Sequence, residues 1–167
     1  LSANHTEDDI LSDHLLDGLN PLGVPKKLKN SVFPFHYNNY EELLSIVEEN
    51  NIGVIKMEVV RNFGPEDDFL EKVRELATKK NIVLIFDECS SGFRVTFGGA
   101  YKQYNVEPDM AMYGKTLGNG YAITAVVGKK EVCIFLFKLT NNYANNYTRI
   151  LCGIKAGEGV PKVVHVS

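Results

Sequence analysis

The stretch IVLIFDECSSGFR, residues 82 to 94, runs five apolar residues into two carboxylates, Asp87 and Glu88, and then into Ser90, Ser91 and Gly92. An unbroken apolar run with polar and turn residues at its ends is the pattern of a strand buried on both faces of a parallel sheet. In open α/β sheets, ligands bind beyond the carboxyl ends of the strands, so acids at that position are candidates for chemistry. Three roles fit: a Walker B acid holding Mg²⁺, a carboxylate meeting a cationic group on an organic cofactor, or a plain cap on the next turn.

Further along, Gly114, Lys115 and Thr116 follow the short apolar stretch DMAMY and precede the flexible GNG of residues 118 to 120. GKT superficially ends a phosphate-binding P-loop, but GxxxxGK[ST] requires glycine at position 109, which is Asp109, and the loop normally precedes the Walker B strand. An NTPase is therefore the weaker alternative. A lysine that reaches the crevice holding Asp87 could instead form a Schiff base with a carbonyl group, with glycines letting the backbone approach a cofactor. The spacing also allows a solvated turn lysine.

The elements around these residues suit such a crevice. NYEELLSIVEENN, residues 39–51, places Leu43, Leu44 and Val47 on one helical face with Asn39 as N-cap. IGVIKMEVV predicts a strand ending at Glu58. GPEDDFLEKVRELATKKN predicts a helix whose apolar stripe is Phe69, Val73, Leu76 and Ala77, with acids filling its first turn and Lys79 and Lys80 its last. Strand, helix and strand at this spacing form a parallel βαβ unit. Pro34 in VFPFHYNN argues for an edge strand or a strand start. GGAYKQYNV reads as a short helix, PDMAMYGKT as a strand and turn, and GNGYAITAVVGKKEV as a strand leading to a helix start. Residues 1–31 read as an extended loop, and from Cys133 onward the pattern has no clear period.

Composition is that of a globular domain: 167 residues, 44% hydrophobic, 23% charged and a formal net charge of -3. That charge leaves no footprint for nucleic acid or an anionic membrane. No run is long and apolar enough to span a bilayer, and no leader is seen, so a cytoplasmic location is expected. The cysteines, Cys89, Cys133 and Cys152, offer neither a disulfide framework nor a Cys-x-x-Cys site and are expected to be free thiols. His5, His14, His36 and His165 lack metal-ligand spacing and are expected on the surface or in loops. Residue 1 is Leu, which fits a chain beginning inside a longer gene product.

In order, DExxxGFR, PD, GK and GxG resemble the class III aminotransferases, most closely the glutamate-1-semialdehyde aminomutase branch, over residues 4 to 132. The resemblance implies an α/β fold: the large-domain core of pyridoxal-phosphate (PLP) fold type I, a mostly parallel sheet flanked by helices. It implies that Lys115 carries pyridoxal 5'-phosphate as an internal aldimine and returns the substrate proton once freed, while Asp87 holds the pyridinium proton. Cys89 stands where the family usually packs Val on the cofactor ring, Ser90 where some members contact its phenolic oxygen, and Asn62 in the loop lining the site. It also implies a homodimer acting on small amino donors and acceptors.

The family's phosphate-binding Gly/Ser loop lies upstream of residue 1, and residues 133–167 do not resemble its continuation. The expected organisation is thus a partial PLP-binding domain over 1–132 followed by an atypical tail, with the isolated chain inactive. The alternative from another class is a non-catalytic α/β remnant whose sheet persists for packing alone.

Overall fold

The computed structural model describes residues 31–60, 62–130 and 132, together with the backbone of 149–151 and 162–166. In chain order the strands are β1 (Val32–Phe35), β2 (Ile52–Glu58), β3 (Val83–Asp87), β4 (Met110–Tyr113), β5 (Ala125–Gly128), β6 (Arg149–Leu151) and β7 (Lys162–Val166). The helices are α1 (Tyr40–Glu49) and α2 (Phe69–Lys79), with 3-10 turns at Ala100–Tyr104 and Lys115–Leu117.

Local chemistry sets these limits. The Asn39 side chain caps α1 by accepting from the Glu42 amide at 3.2 Å. α2 buries Phe69, Leu70, Val73, Leu76 and Ala77, the predicted stripe plus one neighbour. Contrary to expectation, acids do not fill its first turn: the helix starts later than the acidic run, so Glu66, Asp67 and Asp68 precede it and only Glu71 lies in that turn.

One seven-stranded sheet joins the strands in the order β1-β7-β2-β3-β4-β5-β6. β1, β7, β2, β3 and β4 run parallel, β5 pairs antiparallel with β4, and β6 runs parallel to β5. The sheet is therefore mixed, with a parallel centre. β1 lies at its edge, where the ring of Pro34 removes no ladder bond from a central strand. The backbone of residues 149–151 and 162–166, where no period was legible, adds two strands, and β7 seats between β1 and β2.

Ile55, Met57, Leu84 and Phe86 are fully buried in one core with Leu43, Leu70 and Val73 of the two helices. Each such side chain contributes roughly 1.5–3 kcal/mol of burial. The expected burial of β3 on both faces is not what the structure shows: Leu84 and Phe86 are buried, whereas Val83, Ile85 and Asp87 are only partly covered. The reason is that α1 and α2 contact one another and pack on the face carrying Leu84 and Phe86. β2 alternates in step, which leaves Lys56 and Glu58 on the more open face with Asp87.

Candidate active site

Adjacent parallel strands end at one edge, and there the chain turns twice. β3 ends at Asp87 and runs into the turn of Cys89, Ser90 and Ser91; β4 ends at Tyr113 and runs through Gly114 into Lys115. A ladder bond from the Glu88 amide to the Met112 carbonyl, 2.8 Å, ties the two ends together. Packing finishes the join, since a methyl group on Gly114 would meet Cys89 Sγ at 3.5 Å.

Three of the predicted residues then meet a fourth. Lys115 Nζ donates to Ser90 Oγ at 2.5 Å, and the Cys89 amide donates to Asp87 Oδ1 at 3.2 Å. Burial raises the Cys89 thiol pKa, the bond and charge of Asp87 raise it further, and Lys115 and Lys56 pull the other way, so this half-buried group lies within the fields of all three. Asn62 stays apart, exposed in the loop after β2. Cys89 is a free thiol, as expected; Cys133 and Cys152 lie outside the described residues. His36 is exposed beside Glu42; among the other histidines, His5 and His14 lie outside the described residues and only the backbone of His165 is described.

Lys115 has φ +45°, in the left-handed region that favours glycine. For a side chain with a Cβ this costs on the order of 1–3 kcal/mol and persists only where neighbours over-determine it. Here the Gly118 and Asn119 amides both bond to the Lys115 carbonyl, at 3.1 and 3.0 Å, and Gly114 accepts from Leu117 at 3.0 Å. The backbone thus aims an exposed amine at the strand edge. GKT opens a single 3-10 turn rather than a helix N-terminus of the kind that cradles phosphate.

Sequence reasoning missed one partner and left the two acids alike. Lys56, in the middle of β2, donates to Asp87 Oδ2 at 2.7 Å, and its period-two phase with Glu58 was the available signal. Burial raises the Asp87 pKa, but the bonds from Lys56 and the Cys89 amide outweigh it and hold the carboxyl below its usual value of 3.8. Glu88, the second acid, faces the core instead: fully buried, it accepts from Ser91 Oγ at 2.5 Å and from the Tyr101 amide at 3.1 Å, closing the loop between them. Among the described residues no group of His, Cys, Asp and Glu could hold a metal ion, and no helix is long and apolar enough to cross a membrane.

A mixed sheet with an acid and an amine at the carboxyl edge of neighbouring strands has the layout of a fold type I pyridoxal-phosphate enzyme. The chain belongs to the class-III aminotransferase family, whose model matches residues 39–152. It is 40% identical over 147 residues to a 3-aminobutyryl-CoA aminotransferase of Cloacimonas acidaminovorans, covering 81% of this chain and 36% of that protein. It is 43% identical over 114 residues to a glutamate-1-semialdehyde 2,1-aminomutase of Sulfolobus acidocaldarius, covering 66% of this chain and 27% of that one. The chain thus spans about a third of the length of these relatives. Among solved structures, the pyridoxal-phosphate internal aldimine form of the Sphingopyxis sp. MTA144 FumI protein superposes with a TM-score of 0.51 at 26% identity, over 56% of this chain and 24% of that one. The family and branch expected from DExxxGFR, PD, GK and GxG are borne out.

Proposed function

We propose that this chain supplies the cofactor-holding part of a pyridoxal-phosphate-dependent enzyme that moves an amino group, as a transaminase between two molecules or as an aminomutase between neighbouring carbons. The observation that carries the reading is the convergence of Asp87 and Lys115 on one strand edge around Cys89, with Lys115 held in a left-handed backbone. The donor set suits the cofactor: a carboxylate held ionised for a ring N–H, and an exposed amine for an aldehyde.

When bound, pyridoxal phosphate supplies an electron-withdrawing ring that stabilises negative charge at a substrate carbon. Asp87, held ionised, would keep a proton on the ring nitrogen by accepting from it. Lys115 Nζ would hold the aldehyde covalently and, as a free amine, would take a proton from the substrate carbon and return it. Ser90 Oγ orients that amine through its hydrogen bond. Cys89 would pack against the ring, and Asn62, exposed in the loop after β2, would face the approach to it.

Small amino donors and acceptors are the substrates that fit this chemistry, and a cytoplasmic homodimer is the expected setting. Two loops beside Lys115 support a covered face: Val95, Phe97, Tyr121 and Ile123 are exposed there, Phe97 by 90%. Arg94 on one loop donates to Thr116 Oγ1 on the other at 3.2 Å.

The test is to mix the purified chain with pyridoxal phosphate, follow the visible absorbance band, reduce with borohydride and map the label by mass spectrometry. Labelling at Lys115 is expected. A label at Lys102 or Lys129 in its place overturns the assignment.

A further inference from the structure

Asp87 already has a cation beside it. Lys56 lies in register with Ile85 of β3, two residues before Asp87 on the same face, and its Nζ reaches Asp87 Oδ2 at 2.7 Å. Both side chains are about four-fifths buried, at 18% and 20% exposure, so solvent screens the pair only partly. The other oxygen, Oδ1, takes the Cys89 amide. Both oxygens of the acid proposed to meet the ring nitrogen are therefore engaged.

Packing does not call for a lysine there. Ile55 and Met57, on either side of Lys56, point to the opposite, fully buried face and carry the core packing of β2, while Lys56 lies on the partly covered face with Glu58. One structural role is available, because Glu58 is the register partner of Asp87 and a cation nearby relieves two carboxylates facing each other. That role predicts a stability effect and no discrimination between ligands.

We propose that Lys56 competes with the cofactor's ring nitrogen for Asp87, and so sets how strongly the site prefers a protonated pyridine ring over a ring without that nitrogen. The proposal rests on the assignment of Asp87 above. A ring cation entering beside Asp87 must share the carboxylate with Lys56 and meets its positive charge. Without Lys56 the carboxylate keeps only the amide and thiol of Cys89, both neutral, and gains more from the incoming N–H⁺. A ring carrying carbon in place of nitrogen gains nothing from the exchange and faces a bare carboxylate.

The experiment compares wild type, Lys56→Met and Lys56→Arg, with folding checked by circular dichroism. Dissociation constants are measured for pyridoxal phosphate and for its 1-deaza analogue, in which carbon replaces the ring nitrogen. Methionine keeps the length of the stem without the charge, and arginine keeps the charge. In Lys56→Met the preference for pyridoxal phosphate over the analogue is expected to rise at least about tenfold, one pKa unit of differential interaction. In Lys56→Arg the preference should stay near that of wild type. If both ligands bind and pyridoxal phosphate labels Lys115, yet the ratio is unchanged in Lys56→Met, the competition is overturned while the site stands. If neither ligand binds saturably and Lys115 takes no label in wild type, both readings fall.

Discussion

The hydroxyl of Ser90 accepts a hydrogen bond from the Lys115 amine at 2.5 Å, across 25 residues of chain. Among the described residues it joins the turn after β3 directly to the amine after β4. An exposed bond of this kind contributes about 0.5–1.5 kcal/mol. Ser90→Ala is therefore expected to slow cofactor attachment at Lys115 by less than about tenfold, leaving the unfolding midpoint nearly unchanged. Stopped-flow absorbance after mixing with pyridoxal phosphate measures the rate, and a complete loss of attachment would show that Ser90 does more than orient the amine.

The left-handed backbone at Lys115 separates function from stability. Alanine at that position keeps the strain of φ +45°, whereas glycine relieves it. Both Lys115→Ala and Lys115→Gly should lose the borohydride label. Urea unfolding should nonetheless find the glycine variant more stable than the alanine variant by about 1 kcal/mol, with equal slopes. The reverse order would mean that the turn relaxes once the lysine is gone.

Much of this arrangement was legible because it is written in local pattern. The DExxxGFR run gave the strand end and its turn, Asn39 announced the start of α1, and the stripe of Phe69, Val73, Leu76 and Ala77 gave α2. What escaped depends on partners distant in sequence. Lys56 looks like an interruption in an apolar strand until β2 is laid beside β3 in register, and only then does its charge meet Asp87. Glu88 reads as a twin of Asp87, yet the period of two turns it to the opposite face, where Ser91 and the Tyr101 amide hold it. β7 was illegible for a related reason: a short β-branched run shows its place only through non-local pairing with β1 and β2.

Asp109, the residue that breaks the P-loop pattern, clamps the sheet at the end opposite Lys115. It accepts from the Leu84 amide at 2.9 Å, Arg74 at 2.8 Å and Lys129 at 2.7 Å. Asp109→Ala strands a buried amide and two cations, so a loss of about 2–3 kcal/mol is expected. Burial raises its pKa, but the Leu84 amide, Lys129 and Arg74 outweigh that and hold the carboxyl below the usual 3.8. A group depressed in the folded state adds stability above its unfolded pKa and loses it as pH falls through the folded one. Wild type should therefore lose stability as pH falls through the usual carboxylate value of 3.8 and below it, and Asp109→Asn should show a shallower fall. Parallel acid titrations of the two proteins, followed by thermal melts, check the difference in slope.

Two glycines separate crowding from backbone freedom. A methyl group on Gly92 would come within 2.6 Å of Tyr113 Cδ1 and 2.8 Å of the Glu88 carbonyl oxygen, and one of these contacts is backbone that cannot swing aside. The Gly92 amide also bonds to that carbonyl at 2.8 Å, so a shift pulls on the turn carrying Cys89 and Ser90. Gly120 has nothing within 4 Å, but its φ is +103°. Gly120→Ala should accordingly cost about 1 kcal/mol through backbone strain alone, with Lys115 still labelled at near the wild-type rate. Gly92→Ala should cost about 3 kcal/mol by overpacking and should also slow labelling, because the turn moves away from the lysine. Urea midpoints and labelling rates measured on both variants check the two effects together. Equal stability losses, or a Gly92→Ala protein that labels as fast as wild type, would show that the turn after β3 does not place Ser90 against Lys115 through its contact with Tyr113.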